Sequence, residues 1–158
     1  MVVEIERKFL LASDSWRAAV TDSVEIVQGY IAESDTSSVR VRVAGENGSL
    51  NIKGPTLGIT RKEYEYDLPL ADAREILAEF CVARVITKTR HHAEHRGRIW
   101  EIDEFAGGNA GLIVAEIELS SENEVFDRPG WLGDEVSGDP RYYNVCLVKQ
   151  PYGSWQDG

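Results

Sequence analysis

A charge pattern of period two recurs along most of this chain and constrains its fold more than any other feature. Glu4, Glu6 and Lys8 share one face of residues 2–11. Arg40 and Arg42 oppose Val39, Val41 and Val43 in 37–45, and Lys53 follows in 48–54. Arg61, Glu63, Glu65 and Asp67 share a face of 59–68, as do Lys88 and Arg90 in 82–94. Glu101 and Asp103 oppose Trp100 and Ile102 in 97–105, and Glu116 and Glu118 oppose Ala115, Ile117 and Leu119 in 111–120. Successive side chains of a strand point to opposite faces, so each set lies together on one face of a sheet.

Val, Ile, Tyr and Thr enrich these runs, and turn residues bound most of them. With a further run at 23–33 they make eight strands. Gly45-Glu46-Asn47-Gly48 and Ala93-Glu94-His95-Arg96-Gly97 have the make-up of hairpin connections, and Phe105 to Gly111, with three glycines and an Asn, that of a flexible loop. Helical signals are fewer: a short helix over 14–20 capped by Ser13, an amphipathic helix from Pro69 to Cys81, and two further segments, 121–127 and 141–149. Many strands with few helices favour an antiparallel meander. A meander this long closes on itself or splits into two sheets, because open edges are a hazard. The expected class is therefore α+β, mostly antiparallel β: a closed eight-stranded barrel with a few covering helices, in one domain over 1–158.

A strand with one buried and one wet face gives the same alternation, so a flat sheet could turn the charges to water. Closure instead gathers them around a lumen and leaves the apolar faces, Val39, Val41, Ile102 and Ile117 among them, to be covered by helices or by a second subunit in a homodimer. A charged lumen is tolerable only if its signs balance and water enters. Both signs are present. Clustered carboxylates suit a hard divalent cation, and clustered Arg and Lys suit phosphate oxygens. A ligand that needs both is a metal-bound polyphosphate.

The net charge of −10 argues against a nucleic-acid partner held by bulk electrostatics, but not against a small anion at a local basic cluster. No apolar run approaches a membrane span, and the amino terminus carries charge where a signal peptide needs an apolar stretch, so a cytoplasmic location is expected. Cys81 and Cys146 are isolated structural thiols. His91, His92 and His95 lack a metal-site context and belong to a strand end and turn. Gly54-Pro55-Thr56-Leu57-Gly58 lacks the Gly-Lys-Ser/Thr ending of a phosphate loop and forms a turn. The acidic stretch Asp134 to Asp139 is expected as a solvated loop, and Trp16, Trp131 and Trp155 as packing groups.

The ordered residues resemble a known family. Glu4-Ile5-Glu6-Arg7-Lys8 has the ExExK form of the CYTH, or triphosphate tunnel metalloenzyme, superfamily. Gln28-Gly29-Tyr30, Arg40 with Arg42, Lys53, Arg61 before Glu63 and Glu65, Lys88 with Arg90, Glu101 with Asp103, and Glu116 with Glu118 follow in family order. The ending, with Trp131, Gly133 to Val136 and Tyr142 to Asn144, is similar to the short bacterial members.

The resemblance implies a tunnel that holds Mg²⁺ or Mn²⁺, one or two ions, and cleaves inorganic triphosphate to pyrophosphate and phosphate. It implies Lys8, Arg40, Arg42, Lys53, Arg61, Lys88 and Arg90 on the phosphates. Glu4, Glu6, Glu63, Glu101, Asp103, Glu116 and Glu118 would serve the metal, and Lys8, Tyr30 and Glu6 the proton chemistry. Thiamine triphosphate, a nucleotide triphosphate, the class IV adenylate cyclase reaction and non-catalytic polyphosphate binding are the alternatives. Only three residues precede Glu4, leaving no room for the His-Phe element usual in the cyclases.

Overall fold

Val2–Leu11 (β1) is the strand on which the sheet closes. The computed structural model describes residues 2–81 and 83–155. It contains β2 (Val20–Glu33), β3 (Ser38–Ala44), β4 (Asn47–Lys53), β5 (Thr60–Leu68), β6 (Val85–His95), β7 (Arg98–Phe105), β8 (Ile113–Glu118) and β9 (Leu132–Glu135), with helices α1 (Leu70–Phe80) and α2 (Asn144–Lys149). Antiparallel pairing runs β5-β4-β3-β2-β6-β7-β8-β1, and β1 pairs back to β5, which makes the closed eight-stranded barrel. One edge of β1 is shared: Glu6 N–H donates to the Ile59 carbonyl at 3.2 Å, and further along Val136 N–H donates to the Lys8 carbonyl at 2.8 Å. The short β9 thus takes over that edge where β5 ends.

Local chemistry sets the turns. His95 pairs with Arg98 around a two-residue connection whose Arg96 and Gly97 both have positive φ, 49° and 80°, the hairpin geometry that matches strand twist. Gly133 lets β9 lie against β1, since a Cβ there would sit 2.9 Å from the Leu10 carbonyl oxygen.

Much of the outer face is covered within the chain, while Val3, Tyr64 and Tyr66 stay exposed. Val41 and Val43 pack with Ala73 of α1, flanked by Ile76 and Leu77. Ile102, Ala115 and Ile117 pack with Trp16, Trp100 and Trp131, and Phe126 leans edge-on against Phe9 and Trp100. Ile86, Phe105 and Val114, which share the inward faces of their strands with Lys88, Asp103 and Glu116, pack against Tyr142 and Leu147 of the carboxy-terminal segment at one end of the bore. Each such aliphatic or aromatic side chain contributes roughly 1.5–3 kcal/mol on burial. The apolar residues are spent on the outside of the barrel and at one end of its interior, and the rest of the bore is left to the charges.

Several local expectations are corrected. Residues 121–127 form turns and extended chain rather than a helix, because Glu124 is held by Ser120 N–H and by Arg98 while Phe126 reaches the core. The 14–20 segment is a 3-10 turn at Ser15–Ala19 with Asp14 at its N-cap position, and Ser13 Oγ accepts from Ser15 N–H at 3.4 Å. The solvated loop expected at 134–139 includes part of β9, and the helix expected at 141–149 divides into a 3-10 turn (Pro140–Tyr142) and α2. The loop expected to be flexible, 105–111, contains a 3-10 turn, and its buried Asn109 accepts a hydrogen bond from Tyr152 N–H at 2.8 Å. Val82, within the expected sixth strand, lies outside the described residues. Cys81 and Cys146 are free. Among the described residues no helix is long and apolar enough to cross a membrane.

Candidate active site

The inward face of the barrel encloses a cavity of about 230 Å³, lined by charge from alternating positions of seven strands: β1, β3, β4, β5, β6, β7 and β8. Within it lie Glu4, Glu6 and Lys8 of β1, Tyr30 of β2, Arg40 and Arg42 of β3, Lys53 of β4, and Arg61, Glu63 and Glu65 of β5. Lys88 and Arg90 of β6, Glu101 of β7, and Glu116 and Glu118 of β8 complete the wall. Closure therefore brings together nearly every residue that the sequence singles out. Asp103 lies behind this wall, and Asp67 is exposed at the end of β5. A more open recess at the β6–β7 hairpin shares Glu101 and Glu118 with the lumen.

Most of the bases are matched by acids. Lys53 Nζ lies 2.8 Å from Glu63 and 3.4 Å from Glu4, and Arg61 Nε lies 3.1 Å from Glu4. Arg90 reaches Glu101 at 3.0 Å, Asp103 at 2.8 Å and Glu116 at 3.6 Å, while Lys8 Nζ stands 3.6 Å from Glu116. Lys88 Nζ donates to Asp103 at 2.8 Å. Arg40 and Arg42 differ. Among the described residues neither has a carboxylate within 4 Å; Arg42 donates to the amide oxygen of Gln28 at 2.9 and 3.1 Å, and Arg40 to that of Asn51 at 3.4 Å. In the ring, β3 stands four strands from β8 in either direction, so these two guanidinium groups and the β8 acids occupy opposite walls.

On the acidic wall, carboxylate oxygens of Glu4, Glu6 and Glu118 lie within 4.8 Å of one another. All three are hard oxygen donors, the set that Mg²⁺ and Mn²⁺ prefer. Of the other acids expected at a metal, Glu63, Glu101 and Glu116 face the bore but are occupied by bases, and both Asp103 oxygens are held by Lys88 and Arg90.

The field in the lumen shifts its ionisable groups strongly. Burial, with Glu116 and Glu4 beside it, pushes Glu6 up to about 8. Burial also favours the neutral form of Glu4, but Lys53 and Arg61 overcome it and hold Glu4 at about 2. Burial and the neighbouring Arg40 and Arg61 bring Lys53 down to about 8. Burial, with Arg90 and Arg42 nearby, brings Lys88 down to about 7 against the pull of Asp103. Burial and Arg40 bring Arg42 down to about 10. Lys8 is raised: burial opposes its charge, but Glu116 and Glu6 outweigh that.

The sequence pattern misses the groups that do not belong to barrel strands. Thr56 and Gly58, from the turn before β5, face the bore, as do Ser137, Tyr143, Asn144 and Val145 from the segment after β9. Ser137 Oγ accepts from Lys8 N–H at 2.9 Å, and the ring over the Lys8 ammonium is that of Tyr143, 5.5 Å to its centroid, rather than Tyr30. Gln28 and Asn51 support the arginines from within the wall. The stretches Gln28-Gly29-Tyr30 and Tyr142 to Asn144 are visible in the family pattern, which is the one signal in sequence that points to them.

A family model of the CYTH domain matches residues 3–143. An inorganic triphosphatase of Acetivibrio thermocellus is 47% identical over 154 residues, 98% of each chain. Another, of Nitrosomonas europaea, is 33% identical over 151 residues, which are 93% of this chain and 97% of its own. A crystal structure of an inorganic triphosphatase, 33% identical, superposes with a TM-score of 0.66 over 94% of this chain and 95% of that one. With the ExExK strand, the closed barrel and the charged bore in place, this chain belongs to the CYTH domain family.

Proposed function

We propose that this protein is a divalent-metal-dependent hydrolase that cleaves inorganic triphosphate to pyrophosphate and phosphate in the barrel lumen. The observation that carries this reading is that Arg40 and Arg42, with no carboxylate within 4 Å among the described residues, share one bore with the Glu4–Glu6–Glu118 cluster, whose Glu118 stands on the opposite wall. A polyphosphate that carries a metal ion fits between such walls. Two relatives that align over nearly the whole chain are named inorganic triphosphatases.

Glu4, Glu6 and Glu118 would hold Mg²⁺ or Mn²⁺, and the bound ion would neutralise phosphate charge and lower the pKa of water. Arg40 and Arg42 seat the anion, because their charge is not already cancelled. Lys53, Lys88 and Arg90 share their charge between acids of the wall and the incoming phosphate oxygens. Lys8 stays protonated and supplies positive charge beside Glu116, with Tyr30 lining the same bore. Glu6 holds a proton on its carboxyl until a cation displaces it. Phosphoryl transfer asks chiefly for alignment and stabilisation of spreading negative charge, and fixed charges in a wall do both without reorganising.

The cavity is smaller than the roughly 300–1,000 Å³ of common organic-ligand clefts, and its lining is almost wholly charged or polar. Both features favour tripolyphosphate over thiamine triphosphate or a nucleotide. Phosphate release with Mg²⁺ or Mn²⁺ from tripolyphosphate, thiamine triphosphate and ATP tests the reading. Preferred turnover of tripolyphosphate supports it. Preference for an organic triphosphate refutes the substrate assignment, and tight binding without turnover makes the protein a polyphosphate-binding module.

A further inference from the structure

Arg42 and Lys88 project from strands on either side of β2, and a chain of two amides joins them. Arg42 Nε and Nη2 both donate to Gln28 Oε1, at 3.1 and 2.9 Å. Gln28 Nε2 donates to Asn144 Oδ1 at 3.1 Å, and the same oxygen accepts from Lys88 Nζ at 3.1 Å. Gln28 is fully buried, and Asn144 is the first residue of α2, a helix that contacts β6 and whose first turn faces the bore.

An amide oxygen satisfies a cationic donor and fixes its direction without bringing a charge. A carboxylate of the same size satisfies the donor equally well but cancels the charge. Lys8, Lys53, Arg61, Arg90 and Lys88 itself all stand within 4 Å of carboxylates, and Arg42 does not among the described residues. The connection from Arg42 to Lys88 uses amides only, and it runs through a residue of the carboxy-terminal segment.

On the reading of a triphosphate bound in the lumen, we infer that Gln28 and Asn144 are positioning residues for the phosphate chain. They hold Arg42 and Lys88 at one spacing across β2, they leave the Arg42 charge available to the anion, and they make the completed seat depend on α2 being docked. Gln28 itself never touches substrate, since Arg42 stands between it and the bore.

The test combines tripolyphosphate binding in EDTA by calorimetry, kcat and KM with Mn²⁺, and melting temperature. Gln28→Glu keeps both acceptor bonds from Arg42 but adds charge. It is expected to weaken metal-free binding and raise KM about tenfold to a hundredfold, the worth of one charged hydrogen bond, with kcat within a few-fold of wild type. Asn144→Ala is expected to raise KM about tenfold. Gln28→Ala combined with Asn144→Ala should be little worse than the more damaging single change, because both break the same connection. Should the alanine variants fold poorly, Asn144→Asp retains both accepted bonds, and it should bind tripolyphosphate more weakly at an undiminished melting temperature.

Wild-type affinity in Gln28→Glu and Asn144→Asp, strictly additive alanine effects, or a fall in kcat at constant KM would each overturn the inference. Wild-type protein that neither binds nor cleaves tripolyphosphate removes the functional reading as well, whereas normal wild-type behaviour with indifferent variants removes this inference alone.

Discussion

Lys88 Nζ and Asp103 Oδ2 meet at 2.8 Å in the barrel wall, where Lys88 is 2% and Asp103 0% exposed. The other Asp103 oxygen accepts from Arg90 Nε at 2.8 Å. Burial alone would favour the protonated acid, but two cations in contact hold its carboxyl far below the usual range. Asp103 is thus the anchor of two phosphate-facing bases, with no oxygen directed at the Glu4–Glu6–Glu118 cluster. Asp103→Ala leaves two buried cations without their partner and should destabilise the protein by about 3–5 kcal/mol. Metal-free urea denaturation measures this. A variant as stable as wild type but unable to bind Mn²⁺ would return Asp103 to the metal ligands.

Glu118 is the contrasting case. It has no basic partner within 4 Å among the described residues, and its carboxyl is raised by burial and by Glu101 and Glu4. Its charge is unfavourable unless a cation arrives. Glu118→Ala should therefore leave stability unchanged or improved while weakening Mn²⁺ binding by at least about tenfold, the loss that even outer-shell substitutions cause. Calorimetric Mn²⁺ titration against Tm decides it: equal Mn²⁺ affinity excludes Glu118 from the site.

Arg42→Ala removes a lumen cation that has no carboxylate within 4 Å among the described residues. Tripolyphosphate affinity should fall by about 1.5–3 kcal/mol, the range for a charged hydrogen bond. Binding in EDTA isolates this contribution from the metal, and unchanged affinity would take Arg42 out of the anion seat.

The bore was legible in sequence because its chemistry is written at period two. Arg40 and Arg42, or Glu116 and Glu118, reach the same side of their strand whatever the register, and mixed signs on seven of eight strands find their balance when the strands enclose them. What was not legible depends on contacts distant along the chain. Asn144 reaches Lys88 from 56 residues away at the start of α2, and Ser137 meets Lys8 from 129 residues away in the turn after β9. The division of labour among the acids was hidden for the same reason. Asp103 and Glu118 have the same kind of place in their strands, and only the neighbouring strands decide which meets two cations and which meets two carboxylates. The short β9 was missed because Leu132–Glu135 gains its pairing only where β5 leaves the edge of β1.

Lys53 at about 8 and Lys88 at about 7 lie near physiological pH because burial and neighbouring arginines disfavour their charge. Both are charged below those values and neutral above them, so metal-free tripolyphosphate affinity should fall as pH rises from 7 to 9. Lys53→Arg retains charge at that position and should flatten part of the decline. A pH-independent affinity in wild type would show that neither lysine contributes to binding.

Glu6 gives the opposite sense in stability. Its folded value of about 8 lies above the ordinary carboxyl value of 4.5, because burial and the carboxylates of Glu116 and Glu4 favour the proton. Between those two values the folded state binds more protons than the unfolded state, so stability must fall as pH rises. The contribution is complete below about 4.5 and is lost as pH passes about 8. Glu6→Gln is neutral throughout and should remove this part of the slope, which thermal melts at pH 5 to 8 in EDTA would reveal as a difference between the two proteins that widens as pH rises. Mn²⁺ at the cluster takes the place of the proton, so its binding at pH 7 should release close to one proton per ion from Glu6. Calorimetry in buffers of different ionisation enthalpy counts that proton. Release of none, with Glu6→Gln binding Mn²⁺ as tightly as wild type, would place the ion elsewhere in the barrel.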